Sequence, residues 1–168
     1  QLTLFGKAAD ADGCDIYPVP YKLSGHSDLL DQSIASVGAY TERMQDSAPG
    51  KPVWMVLQGF GWHDLETKEE EKRPGVNRPT YEQSRFMAYD SIVRGARGIL
   101  YWGTAYIEKD SQLWQDLLKL ATELSGMQDV LTAPEEAINP KVTYAETWGS
   151  VDRGVVIQEA ALFPWLSV

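Results

Sequence analysis

One carboxylate stands where an apolar stretch meets a rigid loop. Asp15 lies near the end of the run Ala11–Tyr17 (ADGCDIY), and Pro18 and Pro20 follow it. Because a proline disfavours helix in the residue before it, this pattern predicts a short strand that runs into a fixed loop. In parallel α/β folds the ligand sites lie at the carboxyl ends of strands. Asp15 is therefore a candidate acid–base residue or hydrogen-bond acceptor, unless it only caps the turn before Pro18.

Two further apolar runs end in polar or aromatic side chains. Gln58 closes the run 52–58 (PVWMVLQ), which is typical of a strand covered on both faces, and Trp102 closes the run 99–102 (ILYW). Gln58 has two possible roles, because an amide can bind a ligand hydroxyl or hydrogen-bond the backbone groups of the next loop. In that loop Trp62 and His63 are candidates for a pocket wall, although such residues are more often structural.

Other site chemistries lack their usual spacing. His26, Asp28, His63 and Asp64 include no pair of histidines at i, i+4 and no HExxH pattern, so no metal site is predicted. The single cysteine, Cys14, has no partner for a disulfide, and a thiolate would be costly inside an apolar strand. The glycines form no phosphate-cradling motif, and no cofactor is expected.

The elements that must position these residues alternate along the chain. Residues 34–44 have helical apolar spacing, Thr80 and Gln83 match a capping box, and residues 111–126 form a third amphipathic segment. Strand and helix thus alternate three times, which predicts an α/β fold of parallel βα units. Beyond residue 134 the pattern changes to an antiparallel hairpin, 142–148 with 155–158, and an apolar tail, 160–168.

Length and charge exclude several classes of protein. The 168 residues carry 15 basic and 24 acidic side chains, a net charge of −9, so a nucleic-acid partner is not expected. A complete eight-stranded α/β barrel needs roughly 250 residues. No run of about 18 apolar residues and no signal-peptide layout is present, which predicts a soluble chain with no membrane partner and leaves its compartment undefined.

Three segments in this order resemble the last part of a (βα)8-barrel glycoside hydrolase of the large clan whose catalytic acids lie on barrel strands. They are residues 10–20 (DADGCDIYPVP), 51–62 (KPVWMVLQGFGW) and 78–103 (RPTYEQSRFMAYDSIVRGARGILYWG). In uncharacterised bacterial sugar-hydrolase-like proteins, similar segments form about strands six to eight before a small β-sandwich. The resemblance implies a partial TIM barrel over residues 1–133 and the start of a β-module over 134–168.

The same resemblance implies an incomplete catalytic site. The family's nucleophile falls on Gln58, and its acid/base belongs near strand four, which the chain does not contain on this alignment. Glycoside hydrolysis normally needs two carboxyl groups about 5 to 9.5 Å apart. Asp15 is the one acid at the implied mouth, and Trp102 matches the sugar platform. The acids of the long loop 59–79 are the remaining candidates for a second carboxylate, although such a charge run is usually solvated surface; they are Asp64, Glu66, Glu69, Glu70 and Glu71.

Three functions follow as hypotheses. The first is a glycoside-hydrolase-like fragment with residual activity at most, whose cleft is walled by Asp15, Tyr17, Gln58, Trp62 and Trp102. The second is a small hydrolase of activated esters or aryl substrates, at a pocket formed by oligomerisation. The third is a non-catalytic binding or assembly module.

The first prediction concerns self-association. Three parallel strands cannot close a barrel, so their edges and the helix faces need a partner. We expect a homo-oligomer, most simply a two-fold dimer, in which sheet edges complement each other or the C-terminal hairpin is exchanged. Size-exclusion chromatography with light scattering at micromolar concentration should give a multiple of the 18.8 kDa chain mass. A cooperatively unfolding monomer would contradict the prediction and would favour a rearranged three-layer sandwich.

Overall fold

The structure, a computed structural model, describes residues 8–20, 33–68, 71, 73–132, 142–143 and 156–157. The chain forms two compact units, Gln1–Gly126 and Met127–Val168. The sequence places this boundary a few residues later, at 133/134. Each unit is described separately below.

Helices and strands alternate through the first unit. Its elements are β1 (Asp12–Asp15), α1 (Ser36–Ser47), β2 (Val53–Gln58), a 3-10 turn (Trp62–Leu65), α2 (Tyr81–Val93), β3 (Ala96–Trp102), a second 3-10 turn (Thr104–Tyr106) and α3 (Gln112–Gly126). The predicted capping box begins α2, because the Thr80 hydroxyl accepts from the Gln83 N–H and the Gln83 amide accepts from the Thr80 N–H. The predicted α/β class is thus confirmed at the level of mixed α/β with a parallel sheet.

The three strands form one parallel sheet in the order β1-β2-β3. Gly13 pairs with Trp54 and Trp54 with Gly98, so these three residues lie on one rung of the sheet. The next rung on the same face pairs Asp15 with Val56 and Val56 with Leu100. Successive side chains alternate between faces, so this register decides which residues share a surface.

One face of the sheet is covered by helices. Val53, Met55 and Leu57 point to this side and are buried, as are Val37 of α1 and Met87 of α2. Both helices contact β2, and they also contact each other. This side of the sheet forms the apolar core of the unit.

The opposite face is open in the described part of the chain. Trp54, Leu100 and Trp102 are 48%, 47% and 44% exposed there. The expectation that the run 52–58 would be covered on both faces is therefore wrong at Trp54. A continuous apolar run does not show whether both faces of a strand are covered. Trp54 and Val56 are apolar side chains in either case, so the pattern is the same for a covered and an exposed face.

A partly buried network of hydrogen bonds around Glu123 joins α2 to α3. Glu123 of α3 accepts from the hydroxyls of Tyr81 and Tyr89 at 2.8 Å each. It also accepts two N–H groups of Arg85, at 2.9 and 2.8 Å. The Arg85 hydrogen bonds, with the two tyrosine hydroxyls, lower the pKa of Glu123 to about 2 against the opposing effect of burial.

The second unit has a short helix, α4 (Gln128–Leu131), and an antiparallel strand pair, β4 (Val142–Thr143) with β5 (Val156–Ile157). The antiparallel pairing lies where the sequence predicts a hairpin. The predicted apolar tail, 160–168, lies outside the described residues. Among the described helices of the whole chain, none has the length and apolar character needed to cross a membrane.

Glu123→Gln should destabilise the chain by about 1 to 3 kcal/mol at pH 7, because it removes the charge from four hydrogen bonds. Since the folded pKa of Glu123 is depressed, its stabilisation is present above the unfolded value of about 4.3 and is lost as pH falls toward 2. Urea unfolding at several pH values should therefore show the deficit shrinking below about pH 4.

The matched control is Glu71→Gln, which breaks the exposed pair between Glu71 and Lys68. Exposed ion pairs contribute about 0 to 1 kcal/mol, so its effect should be smaller and should fade in high salt. Equal effects of the two variants would show that the Glu123 network is not a stabilising staple.

Candidate functional site

A cleft of about 660 Å³ lies on the open side of the sheet, along β1. It is lined by residues of all three strands and of the segment after β1, namely Ala11, Asp12, Gly13, Cys14, Asp15, Tyr17, Trp54, Val56 and Trp102. Of the residues predicted for the site, Asp15, Tyr17 and Trp102 come together here. Gln58, Trp62 and His63 do not line the cleft.

Asp15 is the exposed carboxylate of this cleft. It lies level with Val56, one rung beyond the Trp54 rung and one rung before the Gln58–Trp102 rung. Burial, the Asp15 charge and a hydrogen bond to Asp15 together raise the pKa of Tyr17. The Tyr17 hydroxyl therefore stays protonated and can act as a donor beside this carboxylate.

Trp54 is the aromatic side chain that the sequence analysis missed. Its indole lies against Gly98, where an added β-carbon would be 2.7 Å from the indole Cδ2. On the other side Gly13 allows close approach of β1, since a β-carbon there would lie 1.9 Å from the Trp54 carbonyl oxygen. Gly98 thus makes room for the indole on the sheet, and Gly13 lets the β1 backbone approach that of Trp54. The period-2 alternation from Gln58 back to Trp54 is the signal that could have placed it on this face.

An aromatic cluster forms the upper end of the cleft. The Tyr17 and Trp102 rings are stacked at 5.7 Å, and Phe60 meets both edge-on, at 5.1 and 5.2 Å. Trp62 also packs edge-on against Phe60 at 5.4 Å, and Tyr106 tilts against Trp102 at 5.8 Å. Trp102 therefore contacts three other rings, Tyr17, Phe60 and Tyr106. Trp54 takes no part in this cluster, so its ring is the freer of the two for a ligand.

Gln58 is a structural clamp. It is fully buried, its Oε1 accepts from the Val19 N–H at 2.9 Å, and its Nε2 donates to the carbonyls of Val19 at 2.6 Å and Phe60 at 3.0 Å. Of its two predicted roles, the structure shows the second, the satisfaction of loop backbone. The amide is suited to this task because it both donates and accepts, which a carboxylate cannot do.

The loop acids that the structure describes supply no second carboxylate beside Asp15. Asp64 is buried and receives two hydrogen bonds of 2.8 Å from Arg78, which also pairs with Glu108 at 2.8 Å. Asp64, a candidate for the second carboxylate, is therefore committed to a partner fourteen residues away. Glu71 does pair on the surface with Lys68, and Glu69 and Glu70 lie outside the described residues.

The remaining candidates have other surroundings. Trp62 and His63 are half-buried on the 3-10 turn, and the Trp62 indole N–H is buried without a partner in the described structure. Burial raises the pKa of the Cys14 thiol to about 12, so it is not a nucleophile at neutral pH. No group of metal-ligating side chains occurs among the described residues, and His26 and Asp28 lie outside them.

The cleft holds a second acid at a distance unsuited to glycoside hydrolysis. Asp12 also lines it but is three residues from Asp15, which is about 10 Å along a strand. Asp12 lies on the opposite pleat, where it accepts from the Ser47 hydroxyl at 2.7 Å. Retaining and inverting pairs are about 5 to 9.5 Å apart and face one substrate. The arrangement is suited to binding hydroxyl groups beside an aromatic ring.

Comparisons with known proteins add no family to this picture. No family model matches the chain, and no curated protein or solved structure does either. The properties of the cleft therefore rest on its own residues.

A carboxylate introduced at the clamp should unfold the chain rather than activate it. Gln58→Glu removes both donated hydrogen bonds and buries a charge beside two carbonyls, so we expect a loss of about 3 kcal/mol or more in unfolding free energy. The buried acid should have a raised pKa, so the deficit should shrink as pH falls toward 4.

The control is Gln128→Glu, at an exposed position of α4, which should change stability by less than about 0.5 kcal/mol. A stable Gln58→Glu variant with new glycosidase activity would show that position 58 is a catalytic position after all. Chemical denaturation and an aryl-glycoside assay decide between the two outcomes.

Proposed function

We propose that the cleft beside β1 binds carbohydrate. The observation that carries the proposal is that one open cleft contains both a half-exposed indole, Trp54, and an exposed carboxylate, Asp15. The apolar face of a sugar ring packs on an aromatic ring, and its hydroxyls donate to carboxylates. The site thus supplies both halves of sugar recognition.

We further propose that the chain is part of a glycoside-hydrolase-like barrel. Three parallel strands with helices on one face are the arrangement of βα-barrel units, and the open face corresponds to the interior of such a barrel. The cleft includes Asp15, the last residue of β1, and Tyr17, which comes after it. Barrel enzymes bind their ligands at such strand ends. The resemblance of residues 10–103 to the last barrel strands supports the same proposal.

The proposed function is binding with weak turnover at most. Glycoside hydrolysis requires a proton donor and a second carboxylate across the bond, and Asp12 is too far along the strand to serve. Asp15 alone can act as a general base or acid toward a bound group, which supports slow reactions only.

Self-association remains part of the proposal. In the described part of the chain, the outer edges of β1 and β3 pair with no further strand. Exposed Leu100 and Trp102 lie on the adjoining open face. A second copy that pairs with the outer edge of β3 would satisfy its backbone groups without covering the cleft beside β1.

Trp54→Ala should weaken oligosaccharide binding by about tenfold, because it removes the stacking ring, and Asp15→Asn should weaken it less, because an amide oxygen still accepts. Isothermal titration with neutral oligosaccharides measures both. Phe86→Ala is the control, since Phe86 is an equally exposed aromatic residue on α2 and is not among the residues that line the cleft.

The same variants should be assayed with aryl glycosides and aryl esters. Glycoside turnover that Asp15→Asn abolishes supports residual hydrolase activity at this cleft. Ester turnover that is indifferent to both variants would instead support the small-hydrolase hypothesis. Failure of every oligosaccharide to bind would contradict the proposed function.

A further inference from the structure

The charge of the cleft indicates which sugars it takes. Among the residues that the structure describes, its lining includes two carboxylates, Asp12 and Asp15, and no lysine, arginine or histidine. Asp12 accepts from the Ser47 hydroxyl and from the Gly13 N–H, so its oxygens already have partners. Asp15 is exposed and lies beside the neutral Tyr17 hydroxyl, and within the described chain it makes no ion pair.

Other carboxylates of this unit that hold elements together are paired with arginines. Asp64 pairs with Arg78, and Glu123 with Arg85, each at 2.8 Å. The cation that acts electrostatically on the β1 strand is Arg43, whose charge lowers the Cys14 pKa. Arg43 belongs to α1, on the covered side of the sheet, and its guanidinium lies 5.7 Å from the Tyr40 ring. The negative charge of Asp15 is thus left for a ligand.

The neighbouring rings favour a cation as well. A cation within about 6 Å of an indole face is attracted by the ring quadrupole, and tryptophan is the strongest of the aromatic side chains in this respect. Trp54 lies one rung, about 7 Å along the strand, from the level of Asp15. Asp15 is on β1 and the indole lies over Gly98 of β3, so a ligand that spans the cleft can place an ammonium group at the carboxylate and pack another part on the indole. An anionic sugar would meet like charge at the same point.

We propose that the cleft selects a sugar with a free ammonium group, an amino sugar, and disfavours acidic sugars. This inference rests on the proposed carbohydrate-binding function and specifies its substrate class. The ammonium pairs with Asp15, while the apolar face of the ring packs on Trp54.

Titration with three trisaccharides of different charge tests the proposal. We expect a glucosamine trisaccharide to bind about tenfold more tightly than its N-acetylated counterpart, and a galacturonate trisaccharide to bind weakest. The preference for the ammonium form should shrink at about 0.5 M salt, because the charges are screened. This salt dependence is measured on the unaltered protein, so it needs no variant to fold.

Asp15→Asn should abolish the preference between the glucosamine and N-acetylglucosamine forms while both still bind. Asp46→Asn removes an exposed carboxylate from α1, which packs on the covered side of the sheet, and should leave the preference unchanged. A preference that both variants retain would show attraction to the overall charge of −9 rather than to this cleft, and would overturn the proposal.

Equal binding of the first two trisaccharides by the unaltered protein would overturn the charge selectivity alone and leave carbohydrate binding standing. Absence of binding by all three would overturn the proposed function as well. Circular dichroism of each variant confirms that the comparison is made between folded chains.

Discussion

Helices cover only one face of a three-stranded parallel sheet, and this constraint shapes the rest of the first unit. Strands with this connectivity are normally buried on both faces. Here α1 and α2 pack on Val53, Met55 and Leu57, while Trp54, Leu100 and Trp102 are exposed on the other side. In the described part of the chain this face therefore exposes contiguous apolar area, which is typical of a binding surface or an interface.

The arrangement of polar groups separates stability from recognition. Gln58, Asp64 and Glu123 look like candidate site residues by type, but each has its hydrogen-bonding capacity filled by backbone groups or by an arginine. Buried polar groups are satisfied in this way because each unpaired one costs about 1 to 3 kcal/mol. Asp15 differs because it is exposed and, in the described part of the chain, no arginine pairs with it. It is therefore the acid of the cleft that a ligand can reach.

Aromatic residues link the two roles. Phe60 is fully buried and meets Tyr17, Trp62 and Trp102 edge-on, so it fixes the loops that follow the strands. Trp54 takes no part in that cluster and instead lies on Gly98. A rigid loop region and a separate stacking ring, with a carboxylate between their levels, make a cleft whose geometry exists before a ligand arrives. Preformed sites of this kind lose little conformational entropy on binding.

Much of the local structure could be predicted from the sequence. The capping box at Thr80, the apolar run that ends at Gln58 and the prolines after Asp15 each act within a few residues, and the structure has the helix, the strand and the strand end at those places. The parallel order of βα units follows from their alternation. Asp15, Tyr17 and Trp102 line one cleft, as expected of strand ends that meet at one edge of such a fold.

The tertiary structure alone decided what each polar or aromatic side chain does. Gln58 bonds a loop 39 residues away, and Asp64 pairs with an arginine 14 residues away, so no local pattern reports either contact. The exposure of Trp54 depends on what packs on the sheet and on a glycine of the neighbouring strand. Local signals choose helix or strand through short-range hydrogen bonds and sterics, whereas burial and pairing depend on which distant segments meet.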